Sequence, residues 1–238
     1  MKTHKTLLKT IFPLLALPAW VFACILSSQF LLGFIFSSIL KDAVKSPAWL
    51  TIFSAAVYTL SIWLITLLPY RFYKKWRTNR EELGLSGLPT WTDLLLAPIG
   101  FVPYFIISAV STAIFSIFPW FNANQTQNVL FNHFLSPGGK ILAFLTLAVV
   151  APIAEELIFR GWLYGKLRAR TNLVVSIFIT SLLFGIVHFQ WNVGVNVFGM
   201  SIIMCLLREI TGTVYSGIFL HIIKNSIAFF LLFVAGVA

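Results

Sequence analysis

Three charges stand close together in an otherwise apolar stretch, Ala151–Arg168, "APIAEELIFRGWLYGKLR": Glu155, Glu156 and Arg160. Two later apolar runs carry one histidine each. His188 follows Phe184 by four residues, and His221 precedes Asn225 by four. On a helix, residues four apart share a face, so Arg160 can neutralise Glu156, and His221 stands one turn from Asn225. Glu155 lies about 140° around the helix from Arg160 and is left to face a cavity. A carboxylate so placed can take a proton from water. One histidine can position that water or protonate a leaving amine. A second histidine and an amide can donate hydrogen bonds to a developing oxyanion. This is the inventory of a hydrolase, assembled from three helices.

Those helices have to lie in a membrane. The chain has 238 residues, of which 59% are hydrophobic and 10% charged, and its mean hydropathy is +0.92. A soluble domain carries roughly 25% charged residues. Continuous apolar runs of about 20 residues suit helices crossing ~30 Å of hydrocarbon, and their lack of alternation excludes a β-barrel. The expected class is an all-α, polytopic integral membrane protein of about seven to eight transmembrane helices. Spans are expected near 11–40, 49–70, 92–118, 141–163, 173–190, 193–209 and 213–236, with a further short helix within 124–136. Pro13 and Pro18 predict a turn or kink in the first span, and Pro98 and Pro103 a break in the third.

Charge predicts the orientation. With the N-terminus cytosolic, 12 of the 17 Lys and Arg fall on the inner side and three on the outer, while Arg160 and Lys224 lie in spans. That asymmetry is the positive-inside pattern. It accounts for the net charge of +10 without a nucleic-acid partner, for which no soluble basic domain exists. The partner expected is the lipid bilayer. Trp49, Trp91, Trp120, Trp162 and Trp191 fall at span ends, where aromatic belts lie. The inner loop "RFYKKWRTNREELGLSGLPTW" reads as an amphipathic segment meeting anionic lipid. Cys24 and Cys205 form no disulfide framework. Lys224 lies on a different helix face from Asn225, placed to snorkel or pair. His4 and His133 read as solvated.

Glu155-Glu156-x-x-x-Arg160, Phe184-x-x-x-His188 and His221-x-x-x-Asn225, in that order on successive hydrophobic helices, resemble the three motifs of the CPBP family. This family comprises CAAX proteases and bacteriocin-processing enzymes, including the Ras-converting prenyl-protein endopeptidases. The likeness covers roughly residues 140–230, and upstream "EELGLSGL" with Trp91 resembles the family's lead-in to its core. The resemblance implies an intramembrane endopeptidase with residues 91–238 as catalytic core. Residues 1–90 would be N-terminal helices and a basic cytosolic loop, all within one membrane domain. It implies Glu155 and His188 as activators of water, His221 and Asn225 as oxyanion stabilisers, and Glu156, Arg160 and Phe184 as supporting groups. It implies no cofactor, with zinc held by Glu155, His188 and His221 as the alternative, although HExxH is absent. The implied substrate is a membrane-associated peptide or protein, either prenylated and CAAX-type or a bacteriocin or pheromone precursor.

Two other functions fit the composition. A non-catalytic bacteriocin-immunity or scaffold protein of the same fold needs no titrating carboxylate. A transporter relaying protons through Glu155 and His188 lacks the expected inverted repeat. The catalytic reading opens the site toward the cytosol. It leaves one geometric tension. Counting residues from the inner surface puts Glu155 about 12 Å deep and His188 about 23 Å deep, so tilt or a recessed fifth helix has to close the gap.

Overall fold

The computed structural model describes residues 2–40, 46–69, 76–125, 131 and 136–236. Seven helical rods account for most of them: α1 (Lys2–Leu40), α2 (Pro47–Leu67), α3 (Trp91–Phe115), α4 (Pro137–Arg168), α5 (Leu173–Ile186), α6 (Trp191–Thr211) and α7 (Tyr215–Val234). Six are long and apolar enough to cross a membrane. The seventh, α5, has only 14 residues, about 21 Å at 1.5 Å per residue, and falls short of the ~30 Å core. The protein is an all-α polytopic membrane protein. The short helix expected within 124–136, and His133 with it, falls largely outside the described residues.

Local chemistry sets the helix starts. Ser46 and Ser136 each cap a helix whose first residue is proline, where the missing N–H costs nothing. Thr90 and Asp93 form a reciprocal capping box at α3. The Asn172 side chain caps α5, and Gly212, at φ 72°, ends α6. The break expected at Pro98 and Pro103 does not occur, and α3 stays helical throughout. No turn interrupts α1 at Pro13 or Pro18 either. Membrane helices tolerate proline where neighbouring groups re-satisfy the backbone.

One buried cluster draws on every helix. It includes Leu17 and Val21 of α1, Ile65 of α2, Tyr104 of α3, Trp162 and Leu163 of α4, Phe184 of α5, Met200 and Met204 of α6, and Leu220 of α7. Trp162 is fully buried, which corrects its expected place in an interfacial belt. It packs edge-on against Trp76, which packs in the same way against Trp20. Trp91, Trp120 and Trp191 are exposed, as a belt requires.

The two ends of the bundle differ. At one end lie Arg77, Lys166, Arg168, Arg170 and Arg208, around a cavity of about 730 Å³. There the segment after Trp76 folds onto α4. A methyl group at Gly161 would stand 3.0 Å from the Leu83 carbonyl oxygen, and one at Gly165 would stand 3.2 Å from that of Glu82. Lys166 clamps the same segment through Glu82, at 2.6 Å, and through the Arg77 carbonyl. At the other end Trp120 meets Trp191, ring centroids 5.1 Å apart, and Asn192 donates to the Gln125 carbonyl at 2.6 Å.

Candidate active site

α4 carries the carboxylates. Its turns widen to π-helical geometry at Leu145–Val150 and again at Leu157–Tyr164, bracketing Glu155 and Glu156. Such widened turns recur at functional sites. The first one has a local consequence. Ala151 N–H bonds the Thr146 carbonyl, and residue 152 is proline, with no N–H to give. The Leu147 carbonyl thereby loses its usual helical donors. Asn225 of α7 supplies one instead, its Nδ2 donating at 2.9 Å. Asn225 therefore ties α7 to α4 and keeps one N–H and its Oδ1 for other work.

Glu156 and Arg160 form a wholly buried ion pair at 2.8 Å. The Arg160 guanidinium also lies 4.3 Å over the centroid of the Phe184 ring, a cation–π contact. His221 Nδ1 stands 3.1 Å from the same Glu156 oxygen. A carboxylate oxygen in this contact accepts, so Nδ1 carries the proton, an assignment made from the bonding network. That turns His221 Nε2 toward Glu155, whose Oε2 is 3.9 Å away, beyond direct hydrogen bonding. The other Glu155 oxygen accepts from the Tyr58 hydroxyl at 2.8 Å. The Glu155 side chain keeps 18% of its surface exposed, whereas Glu156 keeps none. The two adjacent carboxylates thus occupy opposite environments, as their helical phase predicts.

His188 arrives from α5. That helix ends at Ile186, and the chain turns back through Phe189 in the left-handed region at φ 53°. This conformation costs a non-glycine residue roughly 1–2 kcal/mol. Gly185 and Gly194 let the turn close, since a methyl at either would come within 2.9 Å of the other's carbonyl oxygen. α5 brings His188 to the same phenyl ring as His221. The Phe184 ring packs against both His188, centroids 5.1 Å apart, and His221, 5.9 Å. His188 Nδ1 donates to the Phe184 carbonyl at 2.7 Å, so a neutral ring presents Nε2 as an acceptor. His188 is in electrostatic range of Glu155, Lys224 and His221. Among the described residues, no group of three or more His, Cys, Asp or Glu side chains is placed to hold a metal ion.

The surroundings of the site differ between the two ends of the bundle. Toward the basic end α4 is sealed: Ile158, Phe159, Trp162, Leu163, Tyr164 and Leu167 are all buried. A polar cavity of about 220 Å³ lies toward the aromatic end of the bundle. Thr112, Phe121, Ala123, Asn192, Asn196 and Lys224 line it, and Lys224 lies within electrostatic range of Glu155.

Residues 137–227 match the family model described as "Type II CAAX prenyl endopeptidase Rce1-like". Over 85 residues the chain is 32% identical to a Bacillus subtilis (strain 168) protein named "Putative membrane peptidase YdiL". That match covers 36% of this chain and 35% of the relative, about a third of its length. No solved structure matches. The matched segment is thus similar to the CPBP family over residues 137–227. Every CPBP motif residue lies inside it, and the structure brings Glu155, Glu156, Arg160, Phe184, His188 and His221 together. Three further participants escape motif reading. Tyr58 lies on α2, outside the CPBP segment, and is an ordinary tyrosine in an apolar helix until its partner is known. Gly217 leaves room for Glu156, whose Oε2 would be 2.8 Å from a methyl there. Pro152 orphans the carbonyl that Asn225 caps. Proline in a π-widened turn is a signal, but only once the turn is known.

Proposed function

We propose that this chain is an intramembrane endopeptidase that hydrolyses a peptide bond of a membrane-associated peptide or protein with a water activated by Glu155. The observation that carries this reading is the partition of the two carboxylates. Glu156 is spent on Arg160 and His221, while Glu155 is half-buried, steered by Tyr58, and faces two imidazoles. Glu155 Oε2 accepts the proton of an incoming water, whose oxygen then attacks the scissile carbonyl. His188, held through Nδ1, offers Nε2 to orient that water and relays the proton to the leaving amine. His221 donates to the oxyanion when it carries both protons. Asn225 adds its remaining N–H. The seal below Arg160 excludes bulk water from one side, which strengthens each of these interactions. The excess of basic residues at the sealed end supports a cytosolic N-terminus.

Purified protein should cleave a member of a quenched fluorescent peptide library, tested farnesylated and unfarnesylated. Glu155→Ala and Glu155→Gln should each lower kcat by at least about 10²-fold, the range of general acid–base catalysis, with the fold intact by circular dichroism. Wild-type turnover by either variant would remove Glu155 from the mechanism. Parallel runs with a strong chelator test metal dependence separately.

A further inference from the structure

Lys224 has no role in the chemistry above, yet it is a charge within a membrane-length helix that no described residue pairs. It sits in the middle of α7, half-buried, on the wall of the 220 Å³ cavity. It makes no hydrogen bond or ion pair with any described residue. Its neighbours explain this. Asn192 Nδ2 is committed to the Gln125 and Ala123 carbonyls. Asn196 donates to Ser108 and accepts from Tyr104. The nearest opposite charge is Glu155, in electrostatic range but short of contact. An ionisable group held inside a membrane helix is costly and marks function, and a buried charge is normally paired.

We propose that Lys224 is a specificity-determining residue that binds a carboxylate of the peptide substrate in this cavity. The inference rests on the endopeptidase reading. The cavity is smaller than the 300–1,000 Å³ typical of drug-sized ligands, so it takes a short peptide end or one acidic side chain. Thr112 and the backbone near Ala123 supply the polar remainder of its wall. The substrate carboxylate approaches from the aromatic end of the bundle and places the preceding peptide bond toward Glu155 and His188. Two sources share this chemistry, the free C-terminus of the peptide and an internal Asp or Glu.

The test compares matched peptides of one cleavable sequence: free C-terminal acid, C-terminal amide, and amide with an added Asp or Glu beyond the scissile bond. The readout is the ratio of kcat/KM between acid and amide forms within each protein, which cancels any general loss. Wild type should prefer a carboxylate by about tenfold or more, the scale of a hydrogen bond to a charged group, and the preferred arm identifies the source. Lys224→Met should bring the ratio near one, through KM, and Lys224→Arg should restore it. Equal use of all arms by wild type overturns the proposal. So does a Lys224→Met variant that loses kcat equally on all arms with an altered pH profile, which would make Lys224 a counter-charge for Glu155. Binding of the same labelled peptides to wild type and Lys224→Met in nanodiscs is measured alongside. If wild type cleaves nothing, the endopeptidase reading fails, while a carboxylate preference lost in Lys224→Met still supports the site and its absence refutes it.

Discussion

Two buried carboxylates, Asp93 and Glu156, are held in contrasting ways. Asp93 lies at the basic end and has no cation. Its Oδ1 accepts from Thr213 at 2.6 Å and Ser216 at 2.9 Å, and its Oδ2 from Thr90 N–H at 2.9 Å and hydroxyl at 2.7 Å. Both oxygens are filled by neutral donors at the N-termini of α3 and α7, where helix dipoles favour negative charge. Glu156 has a cation, yet only its Oε1 is bonded. Its Oε2 is unpaired, as are Nε and Nη2 of Arg160. A saturated carboxylate has one arrangement and makes a staple. An unsaturated pair has polar capacity to spare beside a reacting group, and native proteins rarely leave buried atoms so without reason. Asp93 fixes where α7 begins, and Glu156 fixes which way His221 turns.

Cutting each centre separates these roles, and the largest effect belongs to the ion pair. Arg160→Met keeps much of the side-chain volume and strands Glu156 as an uncompensated charge. It should cost about 3–5 kcal/mol, as breaking a buried pair does. The check is the unfolding midpoint in detergent. A loss under about 1 kcal/mol would mean that Glu156 takes up a proton at little cost, which argues against the pair as the frame of the site.

Asp93→Asn breaks the other centre. An amide can still accept on one side but turns N–H groups toward donors on the other. The expected loss is about 1–3 kcal/mol from unsatisfied buried donors, with kcat on the surviving folded fraction close to wild type. A kcat that falls with stability preserved would make Asp93 part of the chemistry and erase the contrast.

The contrast was only half legible in the sequence. Glu155, Glu156, Arg160, His188 and His221 could be read because charge within an apolar run is conspicuous and helical phase sorts it. The six membrane-length helices and the shorter α5 could be read from hydropathy. Asp93 was visible only as an acid at a span edge, since its partners Thr213 and Ser216 are ordinary residues 120 and 123 positions away. Tyr58 was hidden for the same reason, 97 residues from Glu155. Trp162 was misplaced because a tryptophan near a span end looks the same whether it meets lipid or another tryptophan. The docking of "EELGLSGL" was hidden as well, because nothing local marks it as a segment packed on Gly161 and Gly165. Tertiary partners decide each of these.

A third carboxylate, outside the membrane, extends the comparison to solvent and gives the smallest effect. Glu82 holds Lys166 at 2.6 Å with its own side chain 53% exposed. Burial alone would raise its pKa, but the Lys166 ammonium, Thr78 and Asn79 together hold it below the ordinary 4.5. A depressed folded-state pKa contributes stability above the unfolded value and loses it as pH falls through the folded one. Because the pair is exposed, Glu82→Gln should cost less than about 1 kcal/mol at pH 7, and 1 M salt should shrink that further. The difference in unfolding midpoint between wild type and Glu82→Gln should narrow as pH drops below 4.5 and vanish once Glu82 is protonated in the folded state. A difference that stays constant from pH 7 to pH 3 would mean that Glu82 acts through packing. The docked segment would then be held by the Leu83 and Glu82 backbones against Gly161 and Gly165, with the ion pair a bystander.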